Sequence, residues 1–257
     1  MLRLITYVIV VKLGGSVITE KGRDEYRVRM NTLLRLAEEL SGSSERFVIV
    51  HGAGPFGHRK VRELGINRGD DDIVRKIVEI QRSTRVLNSK VLEALVELNP
   101  VSFSPYSLFS FSGSRITLRN LDLLKYYYDR GFTPVTYGDI CFDDEFGYYI
   151  CSGDRSVLEL SRLFRPDKAI FVVDVDGIYD RDPKERGASL LPIAERRDVL
   201  FGNNERDVTG GMSGKFDVML ELSKLTKVLV INGKVRNRLF KAENGEDVRG
   251  TEVRYEA

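Results

Sequence analysis

The sequence predicts an α/β fold, a mainly parallel sheet covered by helices, and two observations carry that prediction. Its strand-like runs are apolar throughout, and they alternate along the chain with longer amphipathic segments. Strands without a polar face need cover on both sides, which the helices between parallel strands supply. With 257 residues, 42% of them apolar, the chain can bury a full core. No Pro- or Gly-rich linker and no repeat interrupts it, so a single domain over residues 1–257 is expected.

The elements follow in order. Leu4–Val11 is the first apolar run, and Lys12-Leu13-Gly14-Gly15-Ser16 ends it. Val28–Leu40 is helical, with Leu33, Leu34, Ala37 and Leu40 on one stripe. Phe47–Val50 is a buried strand that His51-Gly52-Ala53-Gly54 breaks. Asp70–Leu98 is a long helical region opened by three aspartates, which suit the positive end of a helix. Val101–Phe103 and Thr133–Val135 are strands, and Asp139–Phe142 with Tyr148–Cys151 form a hairpin around Asp143–Gly147. Ser152-Gly153-Asp154 opens a helix to about Leu163. Ala169–Val173 is a strand ending in Asp174-Val175-Asp176-Gly177. A helix over Gly214–Leu225, a strand over Lys227–Ile231 and a helix over Val235–Ala242 complete the pattern. Ligands of such sheets sit outside the carboxyl ends of the strands.

Charge and composition exclude several function classes. Forty basic against 38 acidic residues leave a formal charge of +2, without the surplus of a nucleic-acid coat. The Leu4–Val11 run is too short to span a bilayer, and no small-residue cleavage site follows it. A cytoplasmic protein with neither nucleic-acid nor membrane partners is therefore expected. Arg exceeds Lys about two to one and Gln81 is the sole glutamine, a heat-adapted composition. Two cysteines exclude a four-thiolate zinc site, and with only His51 and His58 no metal-ligand set is expected.

Four glycine-rich breaks follow strand-like runs or open helices: Lys12–Ser16, His51–His58, Ser152–Asp154 and Gly210–Lys215. Glycine admits a ligand close to the backbone, and successive N–H groups cradle phosphate oxygens. One such loop is ordinarily just a turn; four, two of them carrying a lysine, read as a phosphate site. The segment Gly210-Gly211-Met212-Ser213-Gly214-Lys215-Phe216 lacks Walker spacing, and protein-kinase and intact dinucleotide signatures are absent. The nucleotide site is of another type.

Lys12–Ser16, Asp174–Tyr179 and Gly210–Lys215 resemble the amino acid kinase superfamily. Within it KLGGSVITEK (Lys12–Lys21), HGAGPFGH (His51–His58) and DVTGGMSGK (Asp207–Lys215) resemble the isopentenyl phosphate kinases, His58 being the most discriminating residue. The resemblance runs from about Val8 to Val253. It implies a three-layer αβα sandwich with an open sheet of about eight strands, a homodimer, and ATP with Mg2+ as phosphoryl donor. It also implies that isopentenyl phosphate is the acceptor, bound by the N-terminal part, and that the nucleotide binds from about residue 165 onward. Carried over, Lys12, Gly14, Gly15, Ser16, Gly54, Asp174, Gly211 and Lys215 fall at ATP positions. Ala53, His58 and Gly153 fall at the acceptor, Lys21 at the transition-state lysine, and Asp154 at the carboxylate that orients the lysines. Pro55 stands where the family usually has Ser, removing a hydroxyl and an N–H beside the acceptor phosphate.

These residue types suit the chemistry without the family name. A phosphate acceptor is already an anion, so transfer to it needs no general base, only cations and amides to bring two anions together. Other readings stand beside these. Another phosphonate or phosphomonoester such as fosfomycin is an alternative acceptor, and a non-catalytic nucleotide-binding regulator is an alternative function. His51 reads as a structural hydrogen-bonded histidine, and Asp174 with Asp176 as either a metal pair or turn formers. Tyr126-Tyr127-Tyr128 reads as helix packing, and Ile73, Ile77, Ile80 and Thr84 as core rather than a tail pocket. Cys141 and Cys151 lie on the two hairpin arms, as reduced thiols or as a disulfide.

Overall fold

A computed structural model describes residues 7–20, 26–113, 115–199 and 211–256. In chain order the elements are β1 (Val8–Leu13), α1 (Gly15–Ile18), α2 (Met30–Ser41), β2 (Arg46–His51), α3 (Pro55–Leu64) and α4 (Ile73–Ala94). Next come β3 (Pro100–Ser102), α5 (Pro105–Leu108), β4 (Phe109–Ser112), β5 (Arg115–Leu118), α6 (Leu121–Asp129), β6 (Thr133–Tyr137), β7 (Asp139–Cys141) and β8 (Tyr149–Cys151). The last are α7 (Gly153–Phe164), β9 (Lys168–Val173), β10 (Ile193–Ala194), α8 (Gly211–Ser223), β11 (Lys227–Asn232), α9 (Arg238–Glu243) and β12 (Gly250–Val253).

The main sheet has eight strands in the order β10-β12-β11-β9-β1-β2-β6-β3. The six from β11 to β3 are parallel, β12 is antiparallel to β11, and β10 runs with β12. Alternation along β1 shows how the layers are assigned. Ile9, Val11 and Leu13 face one core with Leu33 and Leu36 of α2, Leu87 and Val91 of α4, and Leu239 of α9. Val10 faces the other, with Leu124 of α6, Val157 of α7 and Phe216 of α8. The sheet is therefore buried on both faces, and this explains its uniformly apolar strands.

Several features differ from the sequence reading. The first strand runs through Lys12 to Leu13 rather than stopping at Val11, because both residues continue the ladder to β2 and β9. Gly15–Ile18 forms a short helix, β4 and β5 pair as a second hairpin, and β12 adds a strand between β10 and β11; none of the three is among the sequence-predicted elements. Asp70–Asp72 precede α4 instead of starting it, with Asp70 tied to Lys76 at 2.9 Å. Ile77 and Ile80 are core, packed with Val61, Ile66 and Ile140 between α3, α4 and the β7–β8 hairpin. Tyr126–Tyr128 lie in α6, where Tyr127 packs edge-on against Phe103 and Tyr128 against Phe164. Among the described residues no helix is long and apolar enough to cross a membrane.

Candidate active site

The strand order reverses about β1: the chain passes from β1 to β2 on one side and later returns to β9 on the other. Crevices of this kind, beyond the carboxyl ends of parallel strands, are where open α/β sheets bind ligands. The loops that follow β1, β2 and β9 meet there.

Their contact is backbone on backbone. Gly14 donates its N–H to the Val172 carbonyl at 2.8 Å, and Gly52 donates to Leu13 at 2.9 Å. A Cβ on Gly15 would stand 2.5 Å from the Gly54 nitrogen, and one on Gly52 would stand 2.6 Å from the Gly15 nitrogen. No side chain fits between these two loops, and this closeness accounts for the glycines. Gly54 also has φ +51°, which disfavours any side chain. A third loop joins them: a Cβ on Gly138 would lie 3.3 Å from the Gly153 nitrogen and 3.4 Å from the Ala53 nitrogen.

Lys12 projects from β1 into this junction. Its Nζ donates to Asp154 Oδ1 at 2.5 Å, with side chains only 12% and 6% exposed. Asp154 lies in the first turn of α7, which Ser152 caps by accepting from the Arg155 N–H at 3.2 Å. Burial pushes the Lys12 ammonium below its ordinary pKa, Asp154 opposes that by ion pairing and hydrogen bonding, and the nearby Lys215 cation adds to the lowering. The site thus gathers two ammonium groups and one carboxylate at the switch point. Lys215 sits in the first turns of α8, which Gly211 opens.

The remaining predicted residues have the following partners. Ser16 Oγ donates to Asp174 Oδ1 at 2.8 Å, and Lys234 lies 3.7 Å from the other oxygen. Asp176 pairs instead with Arg238 at 2.6 Å and Arg249 at 2.9 Å. The two aspartates therefore serve different partners; among the described residues no cluster of three metal-ligating side chains occurs. His58 is in the first turn of α3, its N–H donating to the Gly54 carbonyl at 3.0 Å. Pro55 is the first residue of that helix, where a missing N–H costs no intrahelical bond. Lys21 and Gly210 lie outside the described residues.

His51 is a structural residue. It is fully buried, its Nε2 lies 3.2 Å from Asn88 Oδ1, and its ring stacks on Tyr137. Burial pulls its pKa down to about 4, which keeps it neutral. Cys141 and Cys151 are free buried thiols in hydrogen-bond contact. They sit on a diagonal of the hairpin, since Cys141 is opposite Tyr149 and Cys151 is opposite Asp139.

A cavity of about 430 Å³ opens beside Asp154 and Lys215, walled also by Arg68, Arg155 and Tyr148. The two arginines are absent from the sequence-predicted set. Nothing in the local sequence marks them, because a tertiary neighbour gives each its significance. Thr19 is a further omission: it sits 2.5 Å from where a Gly54 Cβ would be and closes the back of the loop.

The amino acid kinase family profile matches residues 8–232. The isopentenyl phosphate kinase of Methanothermobacter thermautotrophicus is 34% identical over 95% of this chain and 98% of its own length. That of Thermoplasma acidophilum is 35% identical over 90% and 94%. A crystal structure described as a T. acidophilum isopentenyl phosphate kinase product complex superposes with a TM-score of 0.80 at 31% identity, covering 96% of this chain and all of that one.

Proposed function

The chain belongs to the amino acid kinase family and, within it, to the isopentenyl phosphate kinases; on that premise we propose that it transfers the terminal phosphoryl group of ATP to isopentenyl phosphate. A phosphate oxygen of the acceptor attacks the γ-phosphorus, the bond from that phosphorus to the β–γ bridging oxygen breaks, and isopentenyl diphosphate and ADP leave. The observation that carries this reading is the buried Lys12–Asp154 pair, with Lys215 close enough to depress the Lys12 pKa, beside loops packed backbone to backbone.

The assignment of roles is the one that the family resemblance implies. Lys12, Gly14–Ser16, Gly54, Asp174, Gly211 and Lys215 face the nucleotide, whose binding half begins near residue 165. Ala53, His58 and Gly153 face the acceptor phosphate, and Lys21 meets the charge on the group in flight. Asp154 holds Lys12 charged and in place. Ser16 gives its hydroxyl proton to Asp174, so it meets phosphate through its main chain. No side chain needs to act as a base, since the nucleophile is an anion.

Magnesium fits this site only as part of the nucleotide. Asp154, Asp174 and Asp176 are each engaged by cations, and Mg2+ is commonly held by substrate phosphates and water. We therefore assign it no protein ligand and route no step through it. A homodimer and a cytoplasmic location complete the proposal.

The test is direct. Purified protein with MgATP is offered isopentenyl phosphate, glutamate, acetylglutamate and aspartate, and products are followed by phosphorus NMR. Isopentenyl diphosphate should form and the amino acids should remain unmodified. Turnover of an amino acid with isopentenyl phosphate inert would overturn the substrate and leave only the kinase fold.

A further inference from the structure

The cavity beside Asp154 holds more positive charge than the roles above use. Asp154 is already engaged by Lys12. That leaves Lys215, Arg68 and Arg155 on the cavity wall. Arg155 shares Glu159 with Arg162, at 2.8 and 3.1 Å respectively, and Arg162 also pairs with Glu221. The Arg155 Nε is buried and has no hydrogen-bond acceptor. Leaving a charged donor unpaired is costly unless a ligand supplies the acceptor.

Arg68 comes from the loop between α3 and α4, and its guanidinium carbon lies 3.9 Å from the centroid of the Phe146 ring. That ring is the platform on which it rests. Phe146 is itself fixed, because its N–H, with those of Glu145 and Gly113, donates to the buried Asp143 carboxylate. Tyr148 Oη reaches the Ile66 carbonyl at 3.5 Å and ties the same loop to the hairpin. Among the described residues no carboxylate pairs with Arg68. A solvated surface arginine has no need of such a platform or of a place in the wall that holds Asp154 and Lys215.

We propose that Arg68 and Arg155 form a second anion-binding wall of the transfer site and take up phosphate oxygens there. The planar guanidinium fork matches two such oxygens at once. The wall spans both halves of the molecule, with Arg68 and the hairpin on the acceptor side and α8 on the nucleotide side. The bound oxygens therefore belong to the nucleotide's polyphosphate or to the acceptor's phosphate. The inference rests on the phosphotransferase reading for its substrates but not for its anion.

Arg68→Met, Arg155→Met and the double variant distinguish the sources. Loss of a charge-assisted hydrogen bond should raise a KM roughly tenfold. A rise confined to ATP assigns the wall to the polyphosphate, and one confined to isopentenyl phosphate assigns it to the acceptor; either supports the proposal. Arg68→Lys, which keeps charge but not the fork, should fall between. Inorganic pyrophosphate should raise the melting temperature of the wild type and have little effect on the double variant. Arg162→Met removes the other partner of Glu159 without touching the cavity and should leave both KM values unchanged. If it reproduces Arg155→Met, the effect comes from α7 packing and Arg155 is excluded. Unchanged KM values and an unchanged pyrophosphate shift in the double variant would overturn the proposal. A wild type inactive on isopentenyl phosphate that still responds to pyrophosphate through these arginines would sink the substrate reading alone.

Discussion

Asp154→Asn isolates what the buried carboxylate does for Lys12. The substitution keeps shape and removes charge, leaving the ammonium of a side chain only 12% exposed without its counterion and still under the influence of Lys215. Breaking a buried pair in this way costs about 3–5 kcal/mol when the orphaned charge stays charged. Lys12 has an escape, since it can discharge, so a stability loss of about 2–4 kcal/mol near neutral pH is expected. The pH dependence fixes the sign. Burial already holds Lys12 below its ordinary pKa, and the variant deepens that depression. A lysine depressed in the folded state binds fewer protons there than in the unfolded chain, so its penalty is largest in acid and fades as pH rises toward the unfolded value of 10.5. Activity should move the opposite way. Turnover should fall by about 10²–10³ at neutral pH as the cationic centre is lost, and part of it should return as acid recharges Lys12. Chemical denaturation and kcat, each measured across pH, test the two trends together. A variant with wild-type kcat, or a deficit equal at every pH, would refute the role given to this pair.

Two further predictions follow from other parts of the molecule. If Lys21 meets the transferring group, Lys21→Ala should lower kcat by about 10²–10³ while changing KM for either substrate far less; a change confined to KM would assign it to ground-state binding. Glu243 of α9 is 2% exposed, both its carboxylate oxygens lack partners, and burial followed by the Glu39 charge pushes its pKa from 4.5 up to about 9. The unfolded chain releases that proton first, so the wild type loses stability as pH rises from 4.5 toward 9. At 1.36 kcal/mol per unit the ceiling near pH 7 is roughly 3 kcal/mol. Glu243→Gln should therefore gain about 1–3 kcal/mol there and nothing near pH 4.5, read from melting curves at both. Equal melting temperatures across that range would exclude the buried acid as a liability.

How much could be read from sequence depended on how far each feature announces itself locally. β1, β2, β6 and β9 were legible because the sheet is covered on both faces and their burial is nearly continuous, and β11 because its run Val228–Ile231 is apolar throughout. β12 was not, since Gly250-Thr251-Glu252-Val253 lies near the sheet's edge and alternates instead. The β4–β5 hairpin did carry a signal: Phe109-Ser110-Phe111-Ser112 alternates and Gly113 follows at φ +56°. In the candidate site, the clustered glycines were legible because close backbone approach leaves a compositional trace. Asp174 and Asp176 looked like a pair in sequence, yet the chain sends one toward Ser16 and the other toward Arg238 and Arg249. Arg68 and Arg155 could not be read at all, since Phe146 is 78 positions from Arg68 in sequence and the cavity exists only after folding.

The placing of Lys12 shows how the fold produces the site. In a strand, residues two apart share a face, so Lys12 shares a face with Val10 and opposes Val11 and Leu13. Val10 is committed to the core beneath α7 and α8, and Val11 and Leu13 to the core beneath α2 and α4. A slip of one residue would exchange every one of these contacts, so the register is strongly held. That register aligns Lys12 with Val50 of β2 and Phe171 of β9. Lys12 therefore emerges on the α7 side, at the start of which Asp154 lies, between the strand leading to the Gly52–Gly54 loop and the strand leading to Asp174. On the opposite face α2 braces the segment after β11: Glu39 accepts from the N–H groups of Asn237, Leu239 and Phe240, and Arg35 donates to Gly233. The apolar pattern of one central strand thus sets the position of Lys12, and the polar residues around it fix the loops on either side.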